Sequence, residues 1–364
     1  MNEQINFYIK NNINGVAYGS NLEQHFKQRA NLIQAHLGIP LSLLKGASIL
    51  EFGPCGGENA LFLAVNGARV TLVEPNPAVH KSIRKLFNGF ELAALHLATV
   101  ESFLTSEKFD IVIAEGFLLA LPDRKAVLKK ILTFGQGLTI VTYSCMYGNF
   151  FESLKRYIFA ICHLNNPSAD ESNTKKMDIA KELFYDDFMK LGSARTFESW
   201  ALDILMNPAG NSSILDDFED LYQYFSDLNM EIKGCSPNWD MRNHQRWYKD
   251  ISSHSVIEEW RNNLSFIITG KTNIQLPDAD IKILVEMTPL FLDYSCVPDE
   301  KLLVRIKQLS DSLSDFFSDI KTLITESTTM NSKSIINIYK RSDKCNLWGM
   351  PHHYLLLKRH DDSI

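Results

Sequence analysis

A doubly wound α/β fold around a mostly parallel sheet is the class this sequence predicts, on three observations. Short, nearly continuous apolar runs recur between residues 47 and 144. Helical patterns separate these runs, as the crossovers between parallel strands require. The first run empties into a glycine-rich turn, "ILEFGPCGGEN" over residues 49–59, and a helical pattern follows at once.

Residues 1–46 read as an N-terminal helical cap, with Leu22, Phe26, Ala30 and Ile33 on one face at helical spacing. The core, 47–144, begins with the strand "ASILEF" and the helix "ENALFLAVNG", which stops at Gly67 as helices often do. "RVTLVEP" is a second strand, "PAVHKSIRKLF" a helix and "LAALHLA" a third strand. "FDIVIAEG" is the fourth strand, "DRKAVLKKILTF" the next helix and "GLTIVTYS" the fifth strand. Residues 145–215 are mostly helical by pattern, broken by "NNPSADESN" and "NPAGNSS". They form an insert read as a substrate lid. Residues 216–275 supply the end of the core sheet and a substrate-side loop, with "DDFEDLYQYFSDLN" as a helix and "MEIKGCSP" as a sixth strand. Two runs compete for the last strand. "LSFIITGK" (264–271) is the nearer; "HHYLLLKR" (352–359) lies in a helical C-terminal extension, 276–364, after a helical stretch near 278–327.

At 364 residues, 45% hydrophobic and 22% charged, the chain has ample apolar content for a core. Its formal net charge of -6 gives no basic footprint for nucleic acid. Six cysteines lie far apart without a C-x-x-C pair, which argues against a zinc site and a disulfide framework, and no metal is assigned. No signal peptide and no run of membrane-spanning length is evident, so the expected location is cytoplasmic.

What the turn can hold depends on its register. From Gly53 the residues are Gly53, Pro54, Cys55, Gly56, Gly57 and Glu58, which breaks the G-x-G-x-x-G dinucleotide pattern. The Gly-Lys-Ser/Thr ending of a phosphate-binding P-loop is absent. The loop reads instead as E-x-G-x-C-x-G from Glu51. "VTLVEP" then ends at Glu74, "LATVESF" follows the third strand, "AEGFLLALPD" the fourth, and "LTIVTYS" stands fifth. On these motifs the chain resembles the class I S-adenosylmethionine-dependent methyltransferases, whose first motif is commonly E/D-x-G-x-G-x-G.

The resemblance covers roughly residues 47–144 and implies a seven-stranded, Rossmann-like sheet with S-adenosyl-L-methionine as cofactor. It implies Glu51, Gly53, Pro54, Cys55, Gly56, Gly57 and Asn59 around the methionine part, and Glu74 with Pro75 and Asn76 at the ribose. Ionised carboxylates only accept hydrogen bonds, which suits a vicinal diol. Thr99, Val100 and Glu101 match the adenine-holding positions, and Glu115, Gly116 and Phe117 flank the methionine end. Tyr18 or Arg29 of the N-terminal segment would contact the amino-acid end. Cys55 departs from the family pattern, which has glycine there. Gly56 and Gly57 are expected to supply the missing flexibility, leaving Cys55 with negative φ. A degenerate, empty loop on the same scaffold is the competing account.

Methyl transfer from a sulfonium is an in-line displacement, so positioning supplies much of the rate, and an alcohol acceptor needs a general base. Glu115 and His244 are the candidate bases. Tyr143 and Tyr147 follow the fifth strand as pocket walls. "SPNWDMRNHQRWYK" (236–249) mixes aromatics with Asp240, Arg246 and Trp247, a set suited to a polar ligand or, equally, to a surface turn. Arg195 and Trp200, with Asp203, are candidate acceptor contacts from the insert. The wider arrangement "NLEQHFKQR…LLKGASILEFGPCGGENALFLA" with the 236–249 run is similar, more loosely, to methyltransferases encoded with bacterial surface-glycan pathways. That implies O-methylation of a sugar, glycan or nucleotide-sugar precursor. A secondary metabolite or other small molecule is the enzymatic alternative; a non-catalytic binding subunit is the other. The oligomeric state is open, with a homodimer among the options.

Overall fold

The computed structural model describes residues 6–7, 9, 21–118, 121, 123–164, 173–207, 216–238, 253–292, 300–309, 317–326, 329–342 and 346–359. Strands β1 (Ser48–Phe52), β2 (Arg69–Val73), β3 (Leu92–His96), β4 (Phe109–Ala114) and β5 (Gly135–Ser144) pair in parallel. Strand β7 (His352–Arg359) runs antiparallel to both β5 and β6 (Met230–Ser236). The sheet order is β3-β2-β1-β4-β5-β7-β6.

Alternation along the strands sends successive side chains to opposite faces. Ile49, Val70, Ile111, Ile140 and Leu356 face one side, where they meet α1 (Leu22–Asn31), α2 (Glu58–Val65) and α3 (Pro77–Leu86). Leu22, Phe26, Ala30 and Ile33 supply the cap's contact with this face, as their spacing predicts. Leu50, Val112, Val141, Leu355 and Leu357 face the other side. There they pack on α4 (Arg124–Phe134) and, further on, α8 (Phe218–Asp227) and Trp260. The helices start where the sequence offers acceptors for their first N–H groups. Asn76 accepts from Ala78 N ahead of Pro77, Asp123 caps α4 and Asp217 caps α8.

A second, helical region is drawn from the segments before and after β6, between β5 and β7 in the chain. It contains α5 (Phe150–Leu164), α6 (Asn173–Lys190) and α7 (Phe197–Trp200). Beyond α8 come α9 (Ser253–Asn262), α10 (Leu264–Thr269), α11 (Asp278–Met287), α12 (Glu300–Lys307), α13 (Ser318–Thr325) and α14 (Ser332–Arg341). Phe150, Phe151, Tyr157, Phe184, Phe291, Phe317 and Tyr339 dominate its core. Lys155 is fully buried there, its ammonium donating to the Leu347 carbonyl and lying 4.3 Å from the Trp348 ring centre.

The competition for the last strand is decided by 352–359. The nearer candidate, "LSFIITGK", is not a strand: Leu264–Thr269 is helix α10, ended by Gly270 at φ 68. Six residues, four of them apolar, carry no period that separates strand from helix, and the left-handed glycine is a helix stop. Among the described residues no helix is long and apolar enough to cross a membrane.

Candidate functional site

Strand order reverses between β1 and β4, so the carboxyl ends of β1, β2 and β4 open a crevice, the usual ligand position in open α/β sheets. The loop after β1 lines it. Gly53 has φ 64, Cys55 φ 50 and Gly57 φ 90. A Cβ on Gly53 would stand 3.0 Å from the Phe117 ring, and one on Gly56 would overlap the Glu58 carboxylate at 2.2 Å. At both positions a side chain would displace a neighbour, the Phe117 ring beside Gly53 and the Glu58 carboxylate beside Gly56.

Negative φ was the expectation for Cys55, and the structure corrects it. The Gly57 N–H donates to the Pro54 carbonyl at 2.9 Å, closing a four-residue turn with Cys55 as its first central residue. Turns of the primed types need positive φ at that place. The Cys55 N–H is held by Glu74 Oε2 at 3.2 Å. Cys55 therefore takes the left-handed strain itself, about 1–2 kcal/mol for a residue with a Cβ. Burial first, then the charges of Glu74, Asp203, Glu51 and Glu58, push its thiol well above the usual range.

Glu74, 5% exposed, also accepts from Asn76 N at 2.7 Å. Burial pushes its carboxyl up to about 7 against the pull of those two N–H donors. Each oxygen keeps lone pairs free for further donors. Glu51 is 2% exposed, and its Oε2 has no hydrogen-bond partner among the described residues. Burial, then the Glu115 charge, push Glu51 up to about 8, with Arg29 opposing.

Glu115 is engaged on both oxygens. Arg29 Nη1 donates to Oε2 at 2.8 Å and Nη2 to Oε1 at 2.5 Å, while Asn59 Nδ2 reaches Oε2 at 3.2 Å. Arg29 is 4% exposed, so the cap helix α1 places a buried guanidinium over the crevice. Gly116 (φ 77) donates to Thr142 Oγ1 at 2.6 Å. Half-buried Pro75 leads from Glu74 into Asn76. After β3, Thr99 and Ser102 bond each other's backbone N–H reciprocally, with Val100 buried between exposed Thr99 and Glu101.

The insert reaches this cluster. Arg195 is paired with Asp203 at 2.7 Å and bonds the Ser199 carbonyl at 3.2 Å. The charge of Asp203 acts on Cys55, and that of Arg195 on Tyr354. Tyr354 is a site residue the sequence reading missed. The alternation of β7 would have found it, because His353 and Leu355 go to one face and Tyr354 to the face of α1. Burial, then Glu115, push the Tyr354 phenol up to about 12, so it stays a donor.

Other candidates lie elsewhere. Tyr143 is 4% exposed in the core below α8. Its hydroxyl donates to His353 Nδ1 at 2.9 Å, and His353 Nε2 bonds the Met350 carbonyl at 2.9 Å. Burial holds His353 down at about 3, so it is neutral, as this tautomer requires. Tyr147 sits 4.9 Å from the Trp260 ring and bonds Asp217 Oδ2 at 3.4 Å. Trp200 is buried among Phe184, Phe188, Phe197 and Trp348 in the helical core. Tyr18, Asp240, His244, Arg246 and Trp247 lie outside the described residues.

Residues 50–134 match the family described as "Methyltransferase domain". A search of the curated proteins gives no match. Solved structures that are similar include magnesium protoporphyrin IX methyltransferase from Synechocystis with bound S-adenosylhomocysteine. Its identity is 12% and its TM-score 0.35, over 59% of this chain and 76% of that one. N-methyltransferase NodS from Bradyrhizobium japonicum with S-adenosyl-L-homocysteine is 16% identical, TM-score 0.29, over 35% of this chain and 64% of its own. PKMT2 from Rickettsia typhi is 13% identical, TM-score 0.46, over 90% of this chain and 52% of its own. The chain thus spans between 52% and 76% of these three proteins. Residues 50–134 of this chain are thus similar to a methyltransferase domain.

Proposed function

We propose that the whole protein transfers a methyl group from S-adenosyl-L-methionine to an oxygen of a small polar acceptor: a sugar, a glycan or a nucleotide-sugar precursor. The observation that carries the cofactor part is the buried, unpartnered Oε2 of Glu51 at the head of a loop whose Gly53 and Gly57 take left-handed φ. Once ionised, such a carboxyl only accepts hydrogen bonds and suits the cationic amino group of the methionine part. Gly53, Pro54, Cys55, Gly56, Gly57 and Asn59 surround that part. Glu74, Pro75 and Asn76 take the ribose; Thr99, Val100 and Glu101 take the adenine; Gly116 and Phe117 close the methionine end. When bound, the cofactor supplies an electrophilic methyl group on a sulfonium.

Glu115 acts as a positioning residue, because Arg29 and Asn59 occupy its oxygens. His244 is the base assigned to an alcohol acceptor, and Asp240, Arg246 and Trp247 of the same run are assigned as acceptor contacts. Arg195 and Tyr147 contact the acceptor, and Tyr143 and Trp200 support that wall from the core. The glycan reading is supported by the looser resemblance of the 21–64 and 236–249 stretches, and by the polar Arg195–Asp203 pair reaching toward the loop.

Two measurements test this. Calorimetric titration with S-adenosylmethionine and S-adenosylhomocysteine should give binding; none to cofactor-free protein would sink the cofactor reading. A labelled-methyl screen of free sugars, nucleotide sugars and glycan extracts should then show incorporation. Label in other small molecules, with none in the sugars, would refute the acceptor class.

A further inference from the structure

Glu51 stands among more negative charge than its surroundings neutralise. On β1 its register neighbours are Leu72 of β2 and Ile113 of β4, neither of which offers a charge. The titratable and charged groups around it come from every element that closes the crevice. They are Arg29 and His25 from α1, Glu58 from α2, Cys55 in the loop, Glu74 after β2, Glu115 after β4 and Tyr354 on β7, with the mutually paired Arg195 and Asp203 of the insert beyond Cys55 and Tyr354. His25 is neutral, because burial holds it down at about 4. Arg29 is the cation that acts on Glu51, and Glu115 takes both of its Nη groups, while Arg195 is paired with Asp203. An ionised Glu51 would be a buried carboxylate with an orphaned oxygen beside three further carboxyl groups. Burying a charge without a partner is far costlier than burying the neutral acid.

We propose that Glu51 carries a proton in the cofactor-free protein and releases it when the ammonium group of the cofactor arrives, so that cofactor binding expels one proton. The inference rests on the cofactor reading above. The balance is simple: a carboxylic acid and an ammonium enter, a carboxylate–ammonium pair remains, and the proton passes to buffer. Only the O–H bond of Glu51 breaks. The pair then places one positive charge against the surplus of negative ones. Burial has raised the Glu51 carboxyl to about 8, so the acid form prevails at neutral pH. An α-amino group ionises at about 7.7–8.0, so the ligand arrives charged below that. Affinity should therefore rise about tenfold per pH unit between roughly pH 6 and 7.

The test is calorimetry of the full chain with S-adenosylhomocysteine at pH 6.5, in buffers of low and high ionisation enthalpy. Methylthioadenosine, which lacks the amino-acid end, is the second probe; it reports any proton that Glu74 yields at the ribose. S-adenosylhomocysteine should release close to one proton more than methylthioadenosine. Glu51→Gln, which keeps the volume and removes the titration, should bind with that difference abolished and the pH slope flattened. Equal proton release by the two ligands, or release persisting in Glu51→Gln, would overturn the proposal. Absence of any binding heat in every buffer would instead overturn the cofactor reading beneath it.

Discussion

Lys155 in the helical region and Glu51 in the sheet are buried alike, at 0% and 2% exposure, yet their surroundings treat them in opposite ways. The Lys155 ammonium donates to the Leu347 carbonyl and lies over the Phe151 and Trp348 rings. Backbone and aromatic faces thus neutralise it, and the arrangement holds α5 to the segment leading into β7. Glu51 has the reverse: an orphaned oxygen, a guanidinium whose Nη groups go to Glu115, and neighbouring carboxyl groups that raise it further. Burial of charge alone therefore does not mark a site. A buried ionisable group left without a partner at the carboxyl edge of a sheet, below a turn with left-handed residues, does.

Four expected outcomes would break or sharpen this contrast. The largest belongs to the helical region. Phe184 is fully buried edge-on to Trp200 and Tyr339. Phe184→Ala should cost about 4 kcal/mol in chemical denaturation while leaving S-adenosylhomocysteine affinity within about twofold. A large affinity loss would show that the two regions are not separable. Next, Glu74→Ala should weaken that ligand about 100-fold by calorimetry, since a charged acceptor contributes about 1.5–3 kcal/mol and the Cys55 and Asn76 N–H groups lose theirs. Unchanged affinity would refute the ribose assignment.

The third concerns pH. Glu51 ionises near 4.5 when unfolded and at about 8 when folded, so between those values the folded state holds the extra proton. Its contribution to stability is present in full below 4.5, falls as pH rises through this window, and is gone above 8. Cofactor-free wild type should lose about 2 kcal/mol more than Glu51→Gln between pH 6 and 8, in denaturant melts. Parallel curves for the two proteins would show that Glu51 is ionised throughout. The smallest effect is expected at Cys55. Cys55→Gly relieves the left-handed strain but loses a packed thiol and adds chain entropy, so stability should shift by less than about 1 kcal/mol. A loss well beyond that would mean the side chain, not the backbone turn, holds the loop.

Much of this was legible in the residues. The parallel strands show as continuous apolar runs because both of their faces are covered, and Glu51 and Glu74 show because they end such runs. What could not be read is whatever depends on distant segments meeting. The Arg29–Glu115 pair joins residues 86 apart, and nothing local to either predicts the other. Tyr354 joins the crevice only because β7 pairs Tyr354 with Thr142 and Ser236. "LSFIITGK" misled because it is too short to reveal its period. Cys55 misled because composition suggested that a neighbouring glycine would take the left-handed place, whereas the turn geometry gives it to the cysteine.

The position of β7 has a consequence for how the chain is made. β5 and β6 are both complete long before β7 emerges, and each pairs through it. Roughly 200 residues separate the end of β5 from β7, which at synthesis rates of about 5–20 residues per second leaves the edge of β5 uncovered for roughly 10–40 s. That edge presents unpaired N–H and C=O groups beside apolar Ile140 and Val141, the kind of template that recruits other nascent chains. Until β7 arrives, the chain on the ribosome carries an open strand edge that the finished fold covers.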